Sequence, residues 1–481
     1  MPSPRLLPVL AVFHLLGCVN LLMACPFCTM QGQTLTQEVQ QAKLVLYGRL
    51  VEANEQQDTT DLIVEAVLRD DPVRARRDRL VLPRFHYLDP QQPQQRFLLF
   101  CDVQKDKIDW YRTIPLPANS QVPAYLRGAL RVAASPRAER LRYFFDHLDH
   151  SESDIANDAY KEFGNTSYQE VRQVAPLLPA HRVAGWLRQN ELFRDRFGLY
   201  GLLLGHSGDR QYAELFRTLL TDPQVKNLAG SDGLLAGYTL LDPQAGWTFL
   251  RQLLHDSTSD FSQRYAALRA VRFLLDYRPD VIVREQLLEG LAELLEQPDM
   301  ADVVINDLLK RRIWDHASRL LELQSKASHA TPTIRSALVE YALTGRTAGG
   351  QIRVACDALL SQLRQTVPDI VLTRERQHQR EWIGILTATR LVGQVGQPFG
   401  FCHAMTATLA QESELEAMSQ PVERSAPSAV EISTDASGQR RPEPPFLPTR
   451  VEQKISWGAI LVVLGFGLGL FLAWRHWRRV N

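Results

Sequence analysis

The chain has no excess of either charge: lysine plus arginine number 54, aspartate plus glutamate 54, over 481 residues. A balanced chain has no long-range field drawing it to nucleic acid or to an anionic membrane surface, so no nucleic-acid partner is expected. Cysteine is scarce as well. Six thiols exclude a disulfide-built scaffold and leave room for one or two bridges in an oxidising compartment. Catalytic signatures are missing: there is no glycine-rich phosphate loop, no HExxH, no GxSxG and no kinase set. Neither an enzymatic activity nor a cofactor is expected. What remains is an ordinary globular composition, 45% hydrophobic and 22% charged, long enough for two or three domains.

Long apolar runs stand at the two ends. Leu6 to Ala24 follows a single positive charge at Arg5, the layout of a secretory signal, so residues 1–24 read as a signal peptide whose removal leaves Cys25 first. Leu22-Met23-Ala24-Cys25 also resembles a lipobox, which implies a lipidated cysteine, and an uncut signal anchor is a third reading. Trp457 to Trp474 is 18 residues without a charge. At about 1.5 Å per residue such a helix spans roughly 27 Å, which suits a bilayer core. Residues 475–481 form a short basic tail, and Arg475, Arg478 and Arg479 mark its side as cytoplasmic. The expectation is a single-pass protein of the cell membrane with its bulk extracytoplasmic (periplasmic). Gly465 and Gly469 have the small-xxx-small spacing that would let two such helices pair as a homodimer.

Between the ends the pattern changes three times. Residues 25–125 read as a small β domain: Leu44 to Glu52, Asp61 to Leu68, Arg79 to Pro83, Phe97 to Val103 and Ile108 to Ile114 are β-branched or aromatic runs separated by turn-forming stretches. Five strands predict a small antiparallel barrel or sandwich. Arg74, Arg76, Arg77 and Arg79 lie in one of its loops beside Asp70, Asp71 and Asp78, which reads as a solvated connection rather than an anion site. Residues 136–396 switch to helical periodicity. Similar segments follow Asp154 (IANDAYKEF), Arg196 (FGLYGLLLG), Asp232 (GLLAGYTLL), Arg264 (YAALRAVRFLL) and Ile334 (RSALVEYAL), spaced by 42, 36, 32 and 70 residues. A recurring unit of that size, with Asp222-Pro223, Asp242-Pro243, Pro279-Asp280 and Gln297-Pro298 between helices, predicts an α-solenoid of stacked helix pairs. Residues 411–454 are proline-, serine- and glutamate-rich and read as a disordered linker. The fold class is therefore α+β and multidomain.

The helical segments RFGLYGLLLGHSG and RYAALRAVRFLL resemble the inner helices of HEAT-like repeats. Cys25-Pro26-Phe27-Cys28 resembles the active site of glutaredoxins, which implies a redox pair, although those folds place the motif between a strand and a helix. Three readings of these cysteines stand side by side. They are a redox pair, a zinc set of Cys25, Cys28 and Cys101 with His86, or a structural bridge from Cys101 to one member of the pair, worth about 2 to 4 kcal/mol. The N-terminal cysteines, the strand Ala42-Lys43-Leu44-Val45-Leu46-Tyr47-Gly48-Arg49-Leu50 and the later Cys101 together resemble a netrin-type domain, an OB-like barrel also found in tissue inhibitors of metalloproteinases. That resemblance implies that a free Cys25 amine and carbonyl could chelate a protease's zinc. The whole layout resembles bacterial envelope proteins with HEAT-like repeats, which implies an architecture and no activity.

Weaker candidates complete the reading. His147 and His150, beside Asp146 and Asp149, are three apart and could share a metal if helical. His206 and His403 read as helix-end side chains, Cys356 and Cys402 as buried thiols, and Asn165-Thr166-Ser167 fits a glycosylation sequon. The function expected is that of a non-catalytic, membrane-tethered binding or scaffold protein of the cell envelope whose solenoid engages a protein or an envelope polymer. The alternative is an extracytoplasmic thiol-redox or metal-binding protein using Cys25 and Cys28, followed by a protease inhibitor.

Overall fold

The computed structural model describes residues 25–189, 194–225 and 229–380. These belong to one compact unit, Met1–Gly393; a second unit, Gln394–Asn481, lies outside the described residues. The expected signal peptide (1–24), linker (411–454), apolar segment (457–474) and basic tail therefore lie outside them too. So do Gly465, Gly469, Arg475, Arg478, Arg479, Cys402 and His403. Among the described residues no helix is long and apolar enough to cross a membrane.

A short helix, α1 (Leu35–Gln41), opens on a capping box in which the Thr34 hydroxyl accepts from the Gln37 N–H and the Gln37 side chain answers to the Thr34 N–H. Five strands follow: β1 (Leu44–Asn54), β2 (Thr59–Arg69), β3 (Arg79–Pro83), β4 (Arg96–Gln104) and β5 (Lys107–Leu116). All five expected strands are present, each within a few residues of its expected ends. They form one antiparallel sheet in the order β3-β2-β1-β4-β5. The β4–β5 turn needs two residues with positive φ, and Lys105 and Asp106 supply them at 50° and 59°. The sheet curls until its edges meet: the Trp110 indole on β5 donates to the Pro83 carbonyl on β3, and the Arg84 guanidinium reaches the Trp110 carbonyl at 3.0 Å and Asp109 at 2.7 Å.

The central strands β1 and β4 are buried on both faces over most of their paired length, which explains why they are almost continuously apolar there, whereas edge strand β3 exposes Val81. Alternate residues point to opposite sides. Leu44, Leu46, Leu50, Leu62, Leu82, Phe97, Leu99, Cys101 and Trp110 fill the hollow of the curl, whereas Val45, Tyr47, Leu98 and Phe100 join the core shared with the helices.

The helical row begins earlier than expected: α2 (Val122–Val132) starts inside the stretch assigned to the β domain, and α3 (Arg137–Phe145) follows where helices were expected. Next come α4 (Ser153–Gly164), α5 (Tyr168–Val174), α6 (Ala180–Arg188), α7 (Phe197–Gly205), α8 (Ala213–Thr221) and α9 (Ser231–Leu241). The row continues with α10 (Pro243–His255), α11 (Phe261–Tyr277), α12 (Arg284–Leu295) and α13 (Ala301–Lys310). It ends with α14 (Ala317–Leu323), α15 (Pro332–Gly345), α16 (Gly350–Thr366) and the helical stretch α17 (368–380). One of the expected turn signals is a helix start in detail: Asp242 caps Ala245 N–H with Pro243 at the first helical position, and Thr331-Pro332, not among those signals, repeats the device for α15.

Neighbouring helices pack one and two places along. α7 lies against α9, α9 against α11, and α13 against α15, while α10 meets α12 and α14 meets α16. α7 is apolar on every side and every residue in it is buried, as an inner helix requires. α8 instead buries Phe216, Leu219 and Leu220 and exposes Glu214 and Arg217. Three ionic contacts, each between residues 35 apart, join α11 to α13 and its ends: Arg264 to Asp299 at 2.9 Å, Arg272 to Asp307, and Asp276 to Arg311 at 2.6 Å.

Candidate functional site

Residues 25–34 form an extended strap that lies on the helices, not on the sheet. Cys25 N–H donates to the carbonyl of Gly164, the last residue of α4, at 3.2 Å. Phe27 is 3% exposed and rests on Phe273 of α11 with ring centroids 4.9 Å apart; Phe273 in turn meets Tyr168 edge-on. Thr29 N–H donates to the Tyr160 hydroxyl at 3.0 Å, and the Thr29 hydroxyl to the Asp195 carbonyl at 3.1 Å. Arg269 of α11 donates to the Pro26 carbonyl at 3.3 Å while paired with buried Asp232 at 2.7 Å. Two glycines make room. A side chain at Gly164 would strike the Met30 carbonyl, and one at Gly198 the Phe27 carbonyl.

Cys25 and Cys28 are joined by a disulfide, and Cys101 is a free, buried thiol. The expected bridge from Cys101 to the pair is thereby corrected. Cys101 shares the hollow face of β4 with Phe97 and Leu99, opposite the face that meets the helices, so strand parity points its sulfur away from the strap. Burial pushes its pKa up to about 12, with the Asp109 charge adding to the effect, which leaves the thiol inert. The proposed zinc set does not assemble either. His86 sits over Phe97 and Trp110, on the hollow side of the sheet, and among the described residues there is no group of three or more metal-ligating side chains.

The atoms an inhibitor would offer to a protease's zinc are engaged internally. Cys25 is 1% exposed, its N–H is bound to Gly164, and its carbonyl accepts from the Gln31 side chain at 3.3 Å. A lipid thioether would need the same sulfur that Cys28 holds. Asn165, the sequon asparagine, uses its side chain as a clamp: Nδ2 donates to the Gly32 carbonyl at 2.7 Å and Oδ1 accepts the Gly32 N–H at 3.1 Å. The sequon therefore has a structural use for the nitrogen a glycan would occupy.

Beneath the strap lies a cluster absent from the candidates drawn from the sequence. Asp158 accepts from Leu35 N–H, from the Thr36 hydroxyl at 3.2 Å and from the Tyr125 hydroxyl at 2.9 Å, and Glu162 accepts from the Thr34 hydroxyl at 2.6 Å. Glu38 pairs with Arg112. Desolvation raises all three carboxyl pKa values, and hydrogen bonds only partly oppose it. The cluster holds α1 and the strap to α4. Its sequence signal was the Thr34–Gln37 capping box, whereas the acids on α4 carry no signal that separates a buried carboxylate from a solvated one.

The remaining candidates are in use locally. His147 Nδ1 is 2.8 Å from the Tyr143 carbonyl, and His150 Nδ1 accepts from Glu152 N–H at 3.0 Å. Their rings stack at 6.2 Å, with one nitrogen of each already occupied. His206 meets the Tyr168 hydroxyl at 3.1 Å, and burial, helped by Arg278 and Arg172, pushes its pKa down to about 4. Arg74 is buried against Asp70 at 2.8 Å, and Arg79 pairs with Asp61 and Glu52, so this loop spends two of its guanidinium groups internally. Cys356 is fully buried, with its thiol raised to about 11. No protein-family model matches this chain, and neither does any curated protein or solved structure.

Proposed function

We propose that this chain is a non-catalytic, membrane-tethered binding scaffold outside the cytoplasm, anchored by residues 457–474. Its body combines an OB-like five-stranded barrel with an α-solenoid of HEAT-like helix pairs. The observation that carries this reading is that helices pack two places along, α7 on α9, α9 on α11 and α13 on α15, with α11 joined to α13 by the ion pairs Arg264–Asp299, Arg272–Asp307 and Asp276–Arg311. Helices packed two places along are what stacking of successive helix pairs produces, and such arrays work as extended docking surfaces. The Cys25–Cys28 disulfide supports an oxidising location.

The test is protease protection on sealed cells or spheroplasts expressing the full chain, followed by thiol mapping. Protease added outside should degrade the body and leave a short membrane-embedded fragment, with Cys25 and Cys28 recovered as a disulfide. A chain recovered in the soluble cytoplasmic fraction, with both cysteines as thiols, would overturn the reading.

A further inference from the structure

The two sulfurs of the strap differ in access. Cys25 is 1% exposed, whereas Cys28 is only partly buried at the rim of the core. A thiolate must approach a disulfide sulfur directly, and Cys28 is the more accessible of the two residues. Besides the bridge, the turn is seated by Phe27 against Phe273 and by the Cys25 N–H on the Gly164 carbonyl at 3.2 Å. Its internal hydrogen bond, Cys28 N–H to Cys25 O, is long at 3.4 Å, and the Arg269 contact to the Pro26 carbonyl is 3.3 Å. Past Thr29 the strap is held differently, by the Tyr160 hydroxyl, the two-point Asn165 clamp on Gly32 and the carboxylates beneath Thr34, Leu35 and Thr36. A turn seated by apolar packing and closed by the bridge thus adjoins a stem held by hydrogen bonds.

We propose that Cys25–Cys28 is a thiol–disulfide exchange site, entered through Cys28, whose opening by a protein dithiol of the thioredoxin class frees residues 25–28 from between α4, α7 and α11. The reductant's thiolate bonds Cys28 Sγ, the Cys25–Cys28 bond breaks, and Cys25 leaves as a thiolate that takes up a proton. The reductant's second thiol then displaces Cys28 and is left as a disulfide, while the strap keeps two thiols. Release uncovers the Gly164 and Gly198 backbones and the Phe273 ring, with Thr29 to Gly32 as the pivot. The proposal goes beyond the scaffold reading and does not depend on its membrane topology.

The test uses the purified, oxidised full chain without denaturant. Glutathione followed by acid quench and peptide mapping should place the mixed disulfide on Cys28 and leave Cys25 as a thiol. Dithiothreitol should then speed amide exchange in peptides covering residues 25–29 at least tenfold, with β1 unchanged as the control for global unfolding. Cys25→Ser should show the same fast exchange without reductant; if that variant does not fold, the titration of the natural chain decides alone. The proposal is overturned if reduction requires denaturant, if the mixed disulfide forms on Cys25, or if the reduced strap exchanges as slowly as the oxidised one.

Discussion

Asp158 shows how much one side chain can carry here. Three donors converge on it, so Asp158→Ala strands the Leu35 N–H and the Thr36 and Tyr125 hydroxyls, at about 1 to 3 kcal/mol in urea unfolding. Asp158→Asn should lose less, because the hydroxyls can turn to accept from its amide. Its pH behaviour follows from burial. The folded-state pKa values of Asp158 and Glu162 lie above their unfolded values, so the native protein binds more protons in between. Their contribution is complete below about pH 4, the unfolded carboxyl range, and is lost as pH rises through the raised folded values. Asp158→Asn with Glu162→Gln should therefore gain stability relative to the natural chain as pH rises from 4, read as converging melting temperatures. A gap that widened instead would contradict the raised pKa values. Cys101 and Cys356, with pKa values pushed to about 12 and about 11, should resist iodoacetamide at pH 8 until the chain is unfolded.

Among elements, α7 and α9 approach closely, with glycines bringing backbone against backbone. A Cβ at Gly201 would lie 2.7 Å from the Gly233 carbonyl, and one at Gly205 would lie 2.5 Å from Gly237 Cα. Gly201→Ala should cost about 1 to 3 kcal/mol in chemical denaturation, because two buried helices must separate. Gly185 on α6 is the contrast. An added methyl there meets open space, so Gly185→Ala should stabilise by up to about 1 kcal/mol through helix propensity alone. Equal effects at the two positions would show that close packing is not what the α7 glycines provide. The glycine- and alanine-rich helical segments were legible in the sequence as places of close approach. Which helix meets which was not, since a row of similar segments leaves the pairing open until stacking selects it.

For the molecule as a whole, the strap matters because Cys25 and Phe27 belong to the same continuous core as the helices and one face of the sheet. Phe27→Ala should cost about 3 to 5 kcal/mol and shift a single unfolding transition, followed by far-ultraviolet circular dichroism, rather than create a separate early one. The sequence by itself determined the elements: five strands from their apolar runs, helices from three-and-four spacing with turn signals such as Asp-Pro between them, and the α+β class from their order. These are local properties, written in neighbouring residues. Tertiary structure alone decided that Cys25 bonds Cys28, that Cys101 faces the hollow of the sheet, that residues 25–34 dock on helices more than a hundred residues away, and that Asp158 is buried. Such outcomes depend on which faces meet, and a one-residue parity on β4 or a glycine on α7 acquires its meaning only when the partner surface is in place.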